Sequence, residues 1–215
     1  MGAAGLIEAG GVVAVVRLDD LSAAVPLTEA LVAGGVQAVE FTFTNPLAAR
    51  AIEAAREALG ERASIGAGSV LDPETARTAI LAGAAYVVTP TLSVRTIELC
   101  NRYGIPTAIG ALTPTEILAA WEAGASYVKV FPASLGGPGY LKDVRGPLPQ
   151  VKLIPTGGVS VENAGEFIRA GAVAVALGSN LVDERTVGAG DWATITERAR
   201  TISKAVAEAR RGSGS

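Results

Sequence analysis

The strongest constraint on the fold is a regular alternation of short apolar runs and longer helical segments along the 215 residues. Each run is rich in β-branched residues, and each is followed by a stretch rich in Ala, Leu, Glu and Arg. This alternation is typical of successive βα units around a parallel sheet. Eight runs can be counted, at residues 12–17, 38–43, 63–68, 86–90, 107–112, 127–132, 152–157 and 173–178.

Glycines and capping residues support these boundaries. Glycine, which suits the left-handed turn after a helix, stands before four predicted strands, at residues 34–35, 83, 124 and 171. Asp72, Thr113 and Ser160 stand where a capping side chain would begin the next helix. Eight such units with apolar strands predict a single α/β domain, a (β/α)8 TIM barrel over residues 1–211. Residues 212–215 are expected to form a flexible linker or added tail.

Composition narrows the location and the partners. No apolar run approaches the roughly 18 residues of a membrane helix, and the first residues do not resemble a secretion signal. A net charge of -3 provides no basic surface for nucleic acid or anionic lipid. We therefore expect a cytoplasmic protein with no nucleic-acid or membrane partner.

The scarcity of cysteine and histidine limits the chemistry. With one cysteine and no histidine, an intrachain disulfide and the usual Cys/His zinc sites are excluded. The same composition excludes a Ser-His-Asp triad and the commonest general base. We expect no metal and no cofactor, and acid/base chemistry must come from Glu, Asp, Lys, Tyr or water.

Lys129 interrupts the apolar run 127–132. Burial of a cation is costly unless the amine becomes neutral or is paired, and a neutral amine can attack a ketone. The alternative is an outward-facing lysine whose stem packs on the next helix while its ammonium reaches water.

Glu40 similarly interrupts the run 38–43. A carboxylate there is either a structural ion-pair partner or a group with a raised pKa that transfers protons. Together, Lys129 and Glu40 are the minimum set for a lysine aldolase, which needs an amine to form an iminium and a carboxylate to move protons.

Glycine-rich loops follow the last two predicted strands. Thr156, Gly157 and Gly158 end the seventh strand, and Gly178 and Ser179 end the eighth. In phosphate-binding barrels these two loops present backbone N–H groups to an anion. The alternative is that both loops are merely tight strand-to-helix turns.

Other polar residues at strand ends are candidate ligands for a substrate. The loop 66–69, which ends at Ser69, could offer N–H groups and a hydroxyl to a carboxylate. Arg17, at the end of the first strand, could bind an anion bidentately or form a structural ion pair. Trp121, Trp192 and Cys100 lie in helical segments and are expected to be packing residues.

In this order, the motifs resemble the KDPG/KHG aldolases, the 2-keto-3-deoxy-6-phosphogluconate aldolase family of class I Schiff-base enzymes. The resemblance extends from Gly11 to about Val182. The matching stretches are residues 33–35, 40–42, 66–70, 113–116, 127–133 and 154–159.

The resemblance implies that Lys129 forms the Schiff base and that Glu40 is the general acid/base. It also implies cleavage of a phosphorylated keto-deoxy sugar acid to pyruvate and an aldehyde such as glyceraldehyde 3-phosphate, by a homotrimer. The implied phosphate cradle is Gly157, Gly158, Gly178 and Ser179. The implied substrate pocket is Ser69, near the keto-acid carboxylate, with Pro90 and Phe131.

Two positions depart from the family pattern. Thr44 stands where many members have an arginine that helps to hold the substrate carboxylate, and Arg17 could replace that contact. Thr91 replaces a residue that varies in the family. These departures concern substrate preference rather than the type of reaction.

Two other functions are compatible with parts of the sequence. A phosphate-binding barrel isomerase or epimerase would share the loops after strands seven and eight, but it has no use for a strand lysine matched to Glu40. An engineered assembly subunit built on a trimeric aldolase scaffold is suggested by the Gly-Ser-Gly-Ser ending and the alanine-rich helices.

Overall fold

The computed structural model describes residues 2–212 as eight parallel strands that alternate with helices. The sheet order is β7-β6-β5-β4-β3-β2-β1-β8, and the Thr156–Ala176 bridge joins its two edges. The strands therefore form a nearly closed barrel, which confirms the predicted (β/α)8 fold and all eight runs. The strands are β1 Val12–Val16, β2 Ala38–Thr42, β3 Ser64–Gly68, β4 Val87–Val88, β5 Thr107–Ala111, β6 Tyr127–Val130, β7 Leu153–Pro155 and β8 Val175–Leu177.

Helices surround the barrel, and the first of them closes the end at which the strands begin. The helices are α1 Ala3–Gly10, α2 Ala24–Ala33, α3 Ala48–Leu59, α4 Pro73–Leu81, α5 Val94–Arg102, α6 Pro114–Glu122, α7 Gly137–Arg145, α8 Val161–Arg169, α9 Glu184–Gly188 and α10 Trp192–Gly212. Helix α1 lies under the amino ends of the strands, where Tyr127 Oη donates to Ala4 O at 3.2 Å and to Glu8 Oε1 at 2.9 Å. The site must therefore open at the opposite, carboxyl end of the strands.

The predicted helix boundaries have the expected local geometry. Asp72 Oδ1 accepts from Thr75 N at 2.6 Å at the start of α4. Thr113 and Glu116 form a capping box at α6. Each of the four predicted glycine turns contains a left-handed glycine, with φ of 94° at Gly35, 90° at Gly83, 92° at Gly124 and 97° at Gly171. Only glycine adopts this conformation without strain, which explains the repeated pattern.

The side chains of each strand alternate between two apolar clusters. The outer cluster fills the space between barrel and helices, and it includes Val39, Phe41, Val128 and Val130. The inner cluster fills the barrel itself. Its buried members are Ile7, Val13, Val15, Ala38, Tyr86, Val88, Ala108, Tyr127, Ile154, Ala174 and Ala176. Polar residues that keep step with the inner cluster therefore face the barrel interior.

The remaining expectations concern packing residues and the chain end. Cys100 is buried, and Trp121 and Trp192 pack partly buried against the outer cluster. Helix α10 extends through Gly212, one residue into the predicted tail, and residues 213–215 lie outside the described residues. Across residues 2–212, no helix has the length and apolar character needed to cross a membrane.

Candidate active site

Two ionisable side chains face the interior of the barrel. Lys129 follows Tyr127 by two residues on β6, and Glu40 follows Ala38 by two residues on β2. Lys129 is 4% exposed and Glu40 is 2% exposed. Both line one small cavity inside the barrel, together with Tyr86, Thr156 and apolar side chains. The structure thus excludes the alternative of an outward-facing lysine.

Burial dominates the electrostatics of this pair. It lowers the pKa of the Lys129 amine from its usual value, while Glu40 opposes this shift and the positive charge of Arg17 adds to it. Burial raises the pKa of the Glu40 carboxyl, while Lys129 and Arg17 oppose that rise. The two side chains form no ion pair within 4.0 Å, as judged over residues 2–212. A larger share of the amine is therefore neutral and nucleophilic than in an exposed lysine.

Glycines on β3 make room for the polar interior. A Cβ atom at Gly68 would lie 2.6 Å from Glu40 Oε1, and one at Gly66 would lie 2.4 Å from the Tyr86 ring. Real Cβ atoms do not approach so closely, so a side chain at either position would displace the Tyr86 ring or the Glu40 carboxylate. From sequence these glycines were predicted only as a possible anion loop, and Tyr86 was not predicted as a site residue. The alternation of buried residues on both sides of 86 was the signal that could have found it.

An open cleft of about 590 Å³ lies over the loops that follow β7 and β8. Its walls include every residue predicted for the phosphate cradle, namely Thr156, Gly157, Gly158, Gly178 and Ser179, together with Arg17 and Phe131. Thr156 and Ala176 line both this cleft and the small interior cavity. The two spaces therefore adjoin, and a ligand in the cleft could extend toward Lys129.

The three glycines of the cleft are required for different reasons. Gly157 and Gly158 have φ of 87° and 75°, so a tight turn alone accounts for them. Gly178 has no positive φ, and a Cβ atom there would meet only Val15 O, at 4.0 Å. Neither backbone strain nor protein packing requires glycine at 178, and the space beside it opens to the cleft. This favours close approach of a ligand to the backbone at Gly178.

Arg17 is exposed at the end of β1 and contributes to the wall of the cleft. Arg17 was predicted either to bind an anion or to form a structural ion pair. Among the residues described, no carboxylate oxygen lies within 4.0 Å of its guanidinium nitrogens, so the ion pair is not observed. Arg185 on α9 lines the same cleft and was not predicted. The acidic neighbours of Arg185 are already engaged, because Asp183 pairs with Arg198 at 2.6 Å and Glu184 Oε1 accepts from Asp19 N at 2.7 Å.

Thr44, Ser69 and Pro90 follow β2, β3 and β4 at the same end of the barrel, but they do not line the cleft. Thr44 is exposed, and its hydroxyl lies 2.8 Å from that of Thr42. Ser69 has a left-handed φ of 55°, which is uncommon for a residue with a side chain. Their contact with a substrate stays a prediction.

Phe131 lies between the open cleft and the Lys129 amine. Its ring lines the cleft, and its centroid lies 5.1 Å from Lys129 Nζ. A Cβ atom at Gly157 would lie 3.3 Å from the same ring. Phe131 thus forms part of the apolar surrounding of the amine, as expected for a pocket residue.

Within residues 2–212, no three acidic, histidine or cysteine side chains are grouped as metal ligands, and metal independence stays a prediction.

A (β/α)8 barrel with a buried lysine and a buried carboxylate in its interior, next to an open cleft with glycine-rich walls, is the arrangement expected of a barrel lyase that uses an amine. The comparison with known families agrees, since the model of the KDPG and KHG aldolases matches residues 5–198. This chain belongs to that family of aldehyde-lyases.

Individual relatives extend the match over nearly the whole chain. The 2-dehydro-3-deoxy-phosphogluconate aldolase of Treponema pallidum is 38% identical over 191 residues, which cover 88% of this chain and 90% of the relative. A KDPG aldolase from Legionella pneumophila was solved with pyruvate captured as a covalent carbinolamine. It has a TM-score of 0.86 at 31% identity, covering 94% of this chain and 98% of its own.

One similar structure is an assembly. A cube-shaped, porous cage designed by fusing symmetric oligomeric domains matches with a TM-score of 0.86 at 31% identity. The match covers 93% of this chain and 73% of the cage chain. An aldolase-like barrel can therefore form part of a large symmetric assembly, which bears on the alternative raised by the sequence.

Proposed function

We propose that this protein cleaves 2-keto-3-deoxy-6-phosphogluconate, or a closely related phosphorylated keto-deoxy sugar acid, to pyruvate and glyceraldehyde 3-phosphate. One observation carries the proposal: Lys129 and Glu40 are buried together in the barrel, next to a cleft whose walls hold the glycine-rich loops and Arg17. An amine, a carboxylate and an anion cleft are the three elements that this reaction needs.

In the first step the neutral amine of Lys129 attacks the C2 ketone of the substrate. The resulting carbinolamine loses water to give a protonated imine, which is an electron sink for the next step. The lowered pKa of Lys129 raises the fraction of neutral amine near neutral pH. The apolar surrounding that lowers this pKa includes the Phe131 ring.

In the second step Glu40, directly or through a water molecule, accepts the proton of the C4 hydroxyl. The C3–C4 bond breaks, the aldehyde leaves, and the bonding electrons enter the imine to form an enamine. Protonation at C3 and hydrolysis then release pyruvate and restore the amine. The raised pKa of Glu40 suits this role, since the group must both accept and return a proton.

The cleft is assigned to the phosphate end of the substrate. Backbone N–H groups at Gly157, Gly158 and Gly178, with the Ser179 hydroxyl and Thr156, would surround the phosphate, and Arg17 would supply a positive charge at the rim. Ser69, Thr44 and Pro90 are assigned to the keto-acid end. Fixing the phosphate places the bond to be cleaved relative to Lys129 and Glu40, which is a positioning effect.

Trapping identifies the nucleophile directly. The protein is incubated with pyruvate and sodium borohydride, which reduces a protonated imine to a stable amine, and the modified peptide is located by mass spectrometry. We expect labelling at Lys129 alone among the four lysines, the others being Lys142, Lys152 and Lys204. Lys152 is the internal control, because it is exposed and paired with Glu8 at 2.7 Å. No label, or a label on another lysine, would contradict the proposal.

The same samples separate the alternatives. Turnover of a ketose phosphate without a pyruvate adduct would favour the isomerase or epimerase.

We further propose that the enzyme is a homotrimer, as the family resemblance implies. Light scattering should then give three times the chain mass of 21.7 kDa. A particle of many more subunits would indicate the assembly scaffold instead.

A further inference from the structure

Tyr86 immediately precedes β4 and faces the barrel interior, and the reaction proposed above does not use it. Ala67 on β3 is opposite Val87, which places Gly66 beside Tyr86, and Gly66 is opposite Glu40 on β2. A Cβ atom at Gly66 would lie 2.4 Å from Tyr86 Cζ. The phenol therefore lies over Gly66, where β3 has no side chain, and the charge of Glu40 on the next strand acts on its hydroxyl.

The Glu40 carboxylate lies over the next inward-facing position of β3. Gly68 is two residues beyond Gly66, and a Cβ atom at Gly68 would lie 2.6 Å from Glu40 Oε1. Two residues along a strand span roughly 7 Å, so the phenol and the carboxylate are neighbours on one face. Neither oxygen is within hydrogen-bond distance of the other, so a link between them needs an intervening water molecule.

Both polar ends need a partner of this kind. Tyr86 Oη and Glu40 Oε1 are buried, and neither has a hydrogen-bond partner among the protein groups of residues 2–212. Tyr86 is 2% exposed. Both residues line the interior cavity, whose volume of about 10 Å³ is close to that needed for one water molecule. Buried polar groups without partners are costly, so two of them facing one such cavity indicate a shared ligand.

We propose that Tyr86 is a positioning residue for Glu40, acting through one buried water molecule that accepts from Tyr86 Oη and donates to Glu40 Oε1. This rests on the function proposed above. The water fixes the direction of the carboxylate, and its donated hydrogen bond stabilises the ionised form. Burial and the nearby Glu40 charge raise the pKa of the Tyr86 hydroxyl, so it stays a donor over the working pH range.

Two positive charges and burial also act on the ionisation of the Glu40 carboxyl. Lys129 on β6 and Arg17 at the end of β1 both favour the ionised carboxylate, and burial opposes it. Tyr127 also lines the cavity, but its hydroxyl is engaged with Ala4 and Glu8. Thr107 and Thr156 line the cavity too, but their hydroxyls are hydrogen-bonded to Ser126 N and Ile154 O. Within residues 2–212, Tyr86 thus has the one hydroxyl of the cavity wall without a hydrogen-bond partner.

The test is the pH dependence of deuterium exchange into the methyl group of pyruvate, followed by NMR for wild type and Tyr86→Phe. At saturating pyruvate, Lys129 is held as the imine, so the acid limb of the exchange rate reports the carboxylate that removes the methyl proton. Loss of a hydrogen bond to an ionised group raises its pKa. We expect the acid limb of Tyr86→Phe to move up by roughly one pH unit, and the plateau rate to fall roughly ten-fold.

Two further variants keep the test decisive. Gly66→Ala should displace the phenol and move the acid limb in the same direction, even though the hydroxyl is retained. Tyr127→Phe removes a hydroxyl from the same cavity wall, and it should lower the melting temperature while leaving the acid limb in place. An acid limb in Tyr86→Phe at the wild-type position would overturn the proposal. Failure of the wild-type enzyme to exchange pyruvate would instead overturn the proposed function.

Discussion

The carboxylate of Glu40 lies against Gly68, where a Cβ atom would lie 2.6 Å from Oε1 and 2.9 Å from Cδ. The nearest atoms are the free end of a side chain, so an added methyl group can push the carboxylate aside without breaking the backbone. This contact ties the sequence of β3 to the position of the proposed general base on β2.

Gly68→Ala should therefore impair catalysis more than folding. We expect turnover to fall by roughly ten- to a hundred-fold, as for a displaced general base, with the melting temperature within a few degrees of wild type. Gly139→Ala is the matched control, because it lies in α7 with nothing within 4 Å of its Cβ position. Wild-type turnover in Gly68→Ala would show that the observed carboxylate position is not the productive one.

Glu40→Gln separates a catalytic role from a structural one. The amide keeps the shape of the side chain but cannot accept the C4 hydroxyl proton, so turnover should drop by roughly two to four orders of magnitude. The melting temperature should stay the same or rise, since a carboxylate that burial already disfavours is removed. Pyruvate trapping at Lys129 should slow but still reach completion. Activity that falls only in proportion to the folded fraction would indicate a structural role.

Gly178→Ala tests the cleft. Because Gly178 has no positive φ and its Cβ position is 4.0 Å from the nearest atom, the substitution should leave the free energy of unfolding nearly unchanged. The methyl group would occupy the space assigned to the phosphate, so KM for the phosphorylated substrate should rise roughly ten-fold or more. Exchange of free pyruvate, which carries no phosphate, should be unaffected. Equal losses with pyruvate and with the phosphorylated substrate would place the phosphate elsewhere.

Asp183 links the stability of the cleft wall to pH. Its pairing with Arg198 and its hydrogen bonds to Thr186 hold the pKa of the Asp183 carboxyl well below its usual value. A lowered folded-state pKa means that the stabilisation is present above about pH 4 and is lost as the pH falls toward the folded-state pKa. Both side chains are about one-third exposed, so solvent screening limits the effect.

Asp183→Asn should lower the free energy of unfolding by about 1 kcal/mol at neutral pH, the usual size of a helix cap with a screened ion pair. The difference from wild type should shrink below pH 4. Melting temperatures of both proteins from pH 3 to 8 would check this. A difference that is constant over this range would mean that the charge of Asp183 contributes nothing.

Local sequence was sufficient for the barrel and for the two central residues. The alternation of β-branched runs and helical segments, the capping residues and the left-handed glycines are properties of neighbouring residues, and they fixed the eight units. The apolar runs also singled out Lys129 and Glu40, while the structure showed that each keeps step with the inner cluster and so faces the interior. A charge that breaks such a pattern is visible without a structure.

Closure of the sheet determined which distant residues meet at the candidate site. Strand β1 pairs with β8, so Arg17 comes beside the loops after β7 and β8 although more than 130 residues separate them in the chain. No local pattern distinguishes Gly178 from Gly157, since the difference depends on φ and on what the neighbouring strand leaves open. In sequence Tyr86 looks like an ordinary core residue, and only the register of β2, β3 and β4 places it across Gly66 from Glu40. These relations arise from contacts between distant segments, which exist only after the barrel has closed and which periodicity along one strand cannot specify.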